Sequence, residues 1–292
     1  MLLDQLPHSH QRLAWMHAVL VLSKKIGIGS SKANDELRKS LVKAGSLENI
    51  YSDHFSMIPV EEDVALKVFE KIQKFKADYD VVTCLDDRYP KVLRDYPGTP
   101  PILYFQGDLA LASVEKTIGF VGTRELFDES HRDHGRRVIR RLAKSGFEVV
   151  VSGLAEGSDT LGHEAAIENG GRTIAVLGTP LNMHYPKSNA ALQDEIAANH
   201  LVVTEYPIGI GSFGSFFANR NRTTVALSSG GIVVARAGDK SGTQHAIRIC
   251  LEQNKPLYVL ENNIRESAYT WVVKNKDRIK VIRENFDVGA SV

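Results

Sequence analysis

From Asp80 onward the chain alternates short apolar runs with amphipathic stretches, and most runs end in glycine or a hydroxyl residue. The runs cover 117–121, 148–151, 173–177, 201–203, 232–234 and 257–260. Between them, segments such as 130–144 and 190–198 place apolar side chains at helical spacing. Short strands that are apolar throughout bury both faces, and strands separated by helices pair in parallel. The expectation is an α/β fold, a Rossmann-like, doubly wound, mostly parallel sheet, with a small helical domain in front of it. In that first part Leu13, Met16, Val19, Leu20 and Ser23 follow helical spacing until Lys24 to Ser30 interrupts it. Leu37, Leu41 and Val42 mark a second helix ending at Gly45, and a third spans 64–75. The chain is thus read as a helical domain at 1–75, a sheet domain at 76–265 and an extension at 266–292. Within the extension, Ile279-Lys280-Val281-Ile282 is a candidate edge strand.

Open parallel sheets bind ligands outside the carboxyl ends of their strands, so the strand-ending residues carry the functional information. Here they read Gly122-Thr123-Arg124, Ser152-Gly153-Leu154-Ala155-Glu156-Gly157, Gly178-Thr179, Thr204-Glu205-Tyr206 and Lys240-Ser241-Gly242-Thr243. Glycine lets a ligand approach the backbone, hydroxyls donate to phosphate oxygens, and helix N-termini add amide donors. Arg124 is the first candidate anion ligand, because a guanidinium grips phosphate through two parallel donors. The plain alternative pairs it with Glu125 or Asp159. A second cluster, Phe213 to Arg222, sets Phe216 and Phe217 beside Arg220, Asn221 and Arg222. Aromatics stack on bases while arginines hold phosphates. The same residues would serve equally well as core phenylalanines and an ion-pair network.

Weaker features complete the reading. Arg136, Arg137, Arg140, Arg141 and Lys144 share one helix face behind Val138, Ile139 and Leu142; a solvated surface is the favoured interpretation and a DNA path the secondary one. Asp159 and His163 lie four residues apart, where a helix cap with a nearby hydrogen bond fits better than a metal pair. Lys24 to Ser30 resembles the glycine hairpin of helix–hairpin–helix modules, although a plain interhelical turn fits as well. The formal charge of +1 means that nucleic acid would have to be held by a local patch. Cys84 and Cys250 lack metal-site spacing and read as buried free thiols of a reducing cytosol. The run from Leu13 to Leu22 is about half a membrane span. No membrane segment, signal peptide, metal or cofactor is therefore expected, and the location expected is the cytoplasm.

Taken in order, these residues resemble the DprA/Smf family. Gly122-Thr123-Arg124, then Ser152 to Asp159 with His163, match its core signature. Ala175-Val176-Leu177-Gly178 with Tyr185-Pro186, Glu205-Tyr206-Pro207, Arg220-Asn221-Arg222 with Leu227-Ser228, and Ser241-Gly242 continue it. Tyr89-Pro90, Pro101 to Tyr104, Gly107-Asp108 and the Gly27-Ile28-Gly29 hairpin extend the match over roughly residues 10–260. The resemblance implies a dimeric, non-catalytic binder of single-stranded DNA that helps load a RecA-type recombinase during DNA uptake or recombination. Carried over by position, Arg124, Ser152, Gly153, Arg220, Asn221 and Gly242 would line the nucleic-acid pocket, with Phe217 as the aromatic. The chain departs from the family at Ala218, where proline is usual, and at Val233-Val234-Ala235-Arg236, where Val-Val-Glu-Ala is usual. It departs again at Glu261-Asn262, which replaces Pro-Gly, and the usual C-terminal winged helix is not expected.

Other functions fit less well. A nucleoside-monophosphate phosphoribohydrolase would need a glutamate on the helix after Ser241-Gly242-Thr243, and no acid appears before Glu252. A sensor of free nucleotides could use the same phosphate loops. An NAD-dependent dehydrogenase lacks its Gly-x-Gly-x-x-Gly turn.

Overall fold

The computed structural model describes residues 2–261, 264 and 269–283. Four helices come first: α1 (Ser9–Leu22), α2 (Ser31–Ala44), α3 (Leu47–Phe55) and α4 (Glu62–Lys74). The Ser30 hydroxyl accepts from the Ala33 amide at 3.2 Å to start α2, and Gly45, at φ 80°, ends it in a left-handed turn that glycine enters without strain. Sequence spacing missed α3, because only Leu47 and Ile50 of that helix are buried and two positions define no period. Val42, expected on the apolar face of α2, is 65% exposed; Leu37 and Leu41 alone carry that face.

The sheet has nine strands among the described residues, in the order β1-β2-β6-β5-β4-β3-β7-β8-β9. They are β1 (Asp80–Thr83), β2 (Ile102–Gly107), β3 (Thr117–Val121), β4 (Val149–Ser152), β5 (Arg172–Val176), β6 (Leu201–Thr204), β7 (Ile232–Val234), β8 (Leu257–Leu260) and β9 (Ile279–Ile282). From β6 across to β9 every pairing is parallel. β1 and β2 form an antiparallel pair added to β6. These two strands were not anticipated, since the helix between them, Lys91–Asp95, has only five residues and leaves no amphipathic period to signal a crossover. Ile279–Ile282 pairs in parallel with β8 as the edge strand expected there. The expectations that fall on 262–263, 265–268 and 284–292, including Asn262 and much of the 266–292 extension, lie outside the described residues.

The remaining helices are α5 (Lys91–Asp95), α6 (Glu129–Lys144), α7 (Ser158–Glu168), α8 (Ala190–Asn199), α9 (Gly214–Asn219), α10 (Asn221–Ala226), α11 (Gln244–Glu252) and α12 (Thr270–Lys274). Among the described residues, none of the helices is long and apolar enough to cross a membrane. The helical segment and one sheet face share an apolar cluster that joins Trp15, Val19, Leu20 and Val68 to Tyr104, Ala175, Val202 and Tyr206. Several buried polar groups at this junction are paired, although His17 Nε2 and the Tyr79 hydroxyl are not, among the described residues. His17 Nδ1 meets the Tyr104 hydroxyl at 2.8 Å, and Asn34 Nδ2 donates to Glu205 Oε2 at 2.9 Å and to the Gly98 carbonyl at 3.0 Å. Cys250 is buried as expected, whereas Cys84 is only half-buried.

Candidate functional site

The chain runs from β3 outward through β4, β5 and β6, then returns to place β7 on the other side of β3. Loops after β3 and β7 therefore leave in opposite directions and open a crevice between them, the topological switch point of an open parallel sheet. One wall is Gly122-Thr123-Arg124. A Cβ on Gly122 would lie 2.3 Å from Ser158 Oγ, so only glycine allows this turn to nest against α7. The Thr123 amide donates to the Arg236 carbonyl at 2.7 Å, and the Ser158 amide donates to the Thr123 carbonyl at 3.0 Å. With its backbone held on both sides, Arg124 projects an exposed side chain that makes no ion pair among the described residues. The expected alternative pairing with Glu125 or Asp159 is not formed.

The opposite wall is Lys240, Ser241, Gly242, Thr243 and His245, and the open crevice holds about 740 Å³. Ser241 Oγ accepts from the Thr243 amide at 3.2 Å and fixes the turn before α11. A Cβ on Gly242 would meet nothing within 4 Å, so this glycine faces open space. Glu252, the first acid along α11, sits at that helix's far end.

Sequence reasoning missed what holds this wall. The Asp239 carboxylate accepts the amides of Trp271 (2.9 Å) and Thr270 (3.2 Å), and the Trp271 indole donates to the Ala237 carbonyl at 2.7 Å. Helix α12 thereby clamps the base of the loop that carries Lys240 to Thr243. The available signal was a lone tryptophan in the tail, whose indole needs an acceptor when buried.

Arg220 forms the floor rather than the rim. It is 6% exposed, with Nη1 donating to the Val176 carbonyl (3.1 Å), Nη2 to Asp159 Oδ2 (3.4 Å) and Nε to the Phe217 carbonyl (3.3 Å). Burial lowers the Arg220 pKa and raises that of Asp159, and each charge keeps its partner ionised against that trend. A Cβ on Gly153 would lie 1.1 Å from Arg220 Nη1, so the guanidinium lies directly across that glycine. Ser152, expected to touch a ligand, is wholly buried and donates to the Phe120 carbonyl. Gly178 lies beneath Phe217, where a Cβ would come within 2.6 Å of the ring. Asn221 is mostly buried at the crevice wall. Arg222 turns away, toward Gly98 and Glu205, because the next residue of a helix points about 100° around it.

Asp159 is not the helix cap expected: Gly157 occupies the N-cap of α7 and Asp159 serves Arg220 and the Ala155 amide (3.3 Å). His163 Nδ1 meets Thr173 Oγ1 at 2.6 Å, and burial drives its pKa down to about 3. No group of three metal-ligating side chains forms among the described residues.

The adjacent phenylalanines divide their tasks. Phe216 is buried and stacks on Tyr206 with ring centroids 3.9 Å apart. Phe217 is half-buried and meets Tyr185 at 4.9 Å with the rings tilted by 45°. These two rings, with Pro186, Glu156, Gly153 and Ala155, line a slot beside the crevice. Arg124, Ala155, Phe217 and Arg220 belong to both hollows, so slot and crevice are continuous. Elsewhere, Arg136 of α6 pairs with Glu129 (3.1 Å), Asp133 (3.5 Å) and Glu168 (3.9 Å), as a solvated basic face would. The Lys24–Ser30 hairpin seats Gly29 against the Tyr206 hydroxyl, where a Cβ would come within 3.1 Å, and turns α1 into α2.

Known proteins share this geometry. DNA processing protein DprA of Streptococcus pneumoniae is 36% identical over 198 residues, 68% of this chain and 66% of that protein. Protein Smf of Synechocystis is 39% identical over 181 residues, 61% of this chain and 45% of its own. The matched segments thus span less than two thirds of either relative. The X-ray structure of the pneumococcal DprA superposes with a TM-score of 0.74 at 26% identity, covering 98% of this chain and 99% of that one. DNA processing protein A of Helicobacter pylori, whose structure addresses its single-stranded DNA binding mode, gives 0.60 at 31% identity over 70% of this chain and 91% of that one. The sequence pattern of DNA recombination-mediator protein A matches residues 80–281, from the first strand to the last and across both walls of the crevice. With its sheet, switch point and crevice-lining turns all inside that match, the chain belongs to the DNA recombination-mediator protein A family.

Proposed function

We propose that the chain binds single-stranded DNA, with phosphates in the switch-point crevice and a base in the adjoining aromatic slot. The observation that carries this reading is the confrontation of Arg124 with Lys240 and the Ser241-Gly242-Thr243 turn across a crevice that runs on into Tyr185 and Phe217. Arg124 grips a phosphate through paired donors, Lys240 adds a point charge, and the open Gly242 lets the strand approach the main chain. Stacking on Phe217 contributes about 1–3 kcal/mol per base. Gly122, Thr123, Gly153 and Gly178 act by shape, and Arg220 holds Phe217 and the floor in place. The single-stranded DNA binding of the Helicobacter pylori protein supports the same reading. The family's description as a recombination mediator supports handing the DNA on to recombination; the recipient proposed is a RecA-type recombinase, and the agent a cytoplasmic homodimer that acts without catalysis. Residues 1–75, 76–265 and 266–292 are the working division of labour for that task.

Fluorescence anisotropy with a labelled single strand of mixed sequence, across a salt series, tests the proposal. Binding weakens as salt rises. Arg124→Ala weakens it further and lowers the slope of log K against log salt by about 0.7 for each phosphate left without its counter-charge. Saturation by a mononucleotide as tight as by the strand would instead make the crevice a nucleotide sensor.

A further inference from the structure

We infer that Glu156 is a specificity-determining residue that makes the aromatic slot favour amino-bearing bases over thymine, an inference resting on the nucleic-acid reading above. Glu156 is solvent-exposed and lines the mouth of the slot with Tyr185, Pro186, Phe217 and Arg124. Its Oε1 accepts from Ser188 Oγ at 2.7 Å, and its Oε2 has no partner among the described residues. A carboxylate beside a phosphate crevice opposes the ligand's charge, and like charges at close quarters are unfavourable. No arginine or lysine among the described residues comes within ion-pair distance to cancel it. A carboxylate is acceptor-only, so what this one recognises is an N–H donor.

Beside the Tyr185 and Phe217 rings, which touch each other at 4.9 Å and so offer a stacking face rather than a gap, that donor belongs to a base. Carboxylates accept from the exocyclic amine of cytosine, and adenine and guanine carry amines as well. Thymine has none; its single N3–H stands between two carbonyl oxygens that face the carboxylate as like partial charges. Ser188 donates its hydroxyl proton to Oε1 and so favours Oε2 as the oxygen left for the base. Stacking alone would tolerate every base, which is the expectation the sequence supports. Glu156 adds discrimination to it.

The test compares labelled oligo-dC and oligo-dT of equal length at mildly alkaline pH, where oligo-dC stays unstructured. It uses the full chain as wild type, Glu156→Ala, Glu156→Gln, Ser188→Ala and Arg124→Ala. Wild type binds oligo-dC about tenfold more tightly than oligo-dT, the scale of one good base pairing with a side chain. Glu156→Ala brings the two affinities together, chiefly by tightening oligo-dT. Glu156→Gln narrows the ratio by offering thymine a donor, and Ser188→Ala narrows it with the carboxylate intact. A ratio near one in wild type, or one unchanged in Glu156→Ala, overturns the inference while leaving strand binding in place if both oligomers still depend on Arg124. Failure of wild type to bind either oligomer, or indifference to Arg124→Ala, sinks the nucleic-acid reading and this inference with it.

Discussion

Two arginines serve one site by opposite means. Arg124 is exposed and pairs with no acid among the described residues, whereas Arg220 is buried on Asp159 at 3.4 Å. Removing a buried partner strands its counter-charge, so Arg220→Ala is expected to lower unfolding stability by about 3–5 kcal/mol in urea denaturation. Arg124→Ala leaves the same transition within about 0.5 kcal/mol of wild type and weakens strand binding. Gly153→Ala drives a methyl into the Arg220 guanidinium and follows the Arg220 variant in stability. Gly242→Leu fills open space instead, so it keeps its stability and weakens binding. If Arg220→Ala stayed as stable as Arg124→Ala, the buried ion pair would not be structural. Motif reading put Arg124, Arg220 and Ser152 in one group, because exposure is a property of the surrounding fold. The sequence holds only their order.

At the level of elements, strands separated by helices were legible because each leaves an apolar run, in most cases ended by glycine or a hydroxyl residue. The β1–β2 pair was not, since antiparallel neighbours need no crossover. α12 escaped for a different reason: its five residues bury only Trp271, and one residue makes no period. Yet α12 holds the Lys240–Thr243 wall of the crevice, through Trp271 to Ala237 and through Asp239 to the first amides of α12. Trp271→Ala therefore removes a large buried side chain, at about 3–5 kcal/mol, and a clamp. Asp239→Asn keeps the shape and weakens the cap. Amide hydrogen exchange reads the difference, with faster exchange expected in residues 237–243 for both variants and a large fall in global stability only for Trp271→Ala. Unchanged exchange in Asp239→Asn would mean that the loop is held without α12.

Across the whole molecule, the junction between the leading helices and the sheet gives stability a pH dependence of calculable sign. Glu205 sits in that junction under Asn34, and burial raises its pKa from 4.5 to about 7. The folded state thus keeps a proton that the unfolded chain releases, so the contribution of Glu205 is complete below pH 4.5 and lost as pH rises toward 7. His17 and His163 act in the other direction, because burial lowers each from 6.5 to about 3. Their contribution is complete above pH 6.5 and lost as pH falls. Each group changes stability by about 1.4 kcal/mol per pH unit inside its window, so two histidines outweigh one glutamate on the acid side. Glu205→Gln isolates the glutamate, since its amide oxygen can still accept from Asn34 and no charge is buried. The stability of Glu205→Gln minus that of wild type should grow with pH between 4.5 and 7 and then level off about 3 kcal/mol higher than at acid pH. Urea denaturation of both proteins across that range measures the difference directly, with every other titrating group cancelling. A difference that stays flat would mean that Glu205 ionises in the fold as easily as in the unfolded chain, and that the junction carries no buried proton.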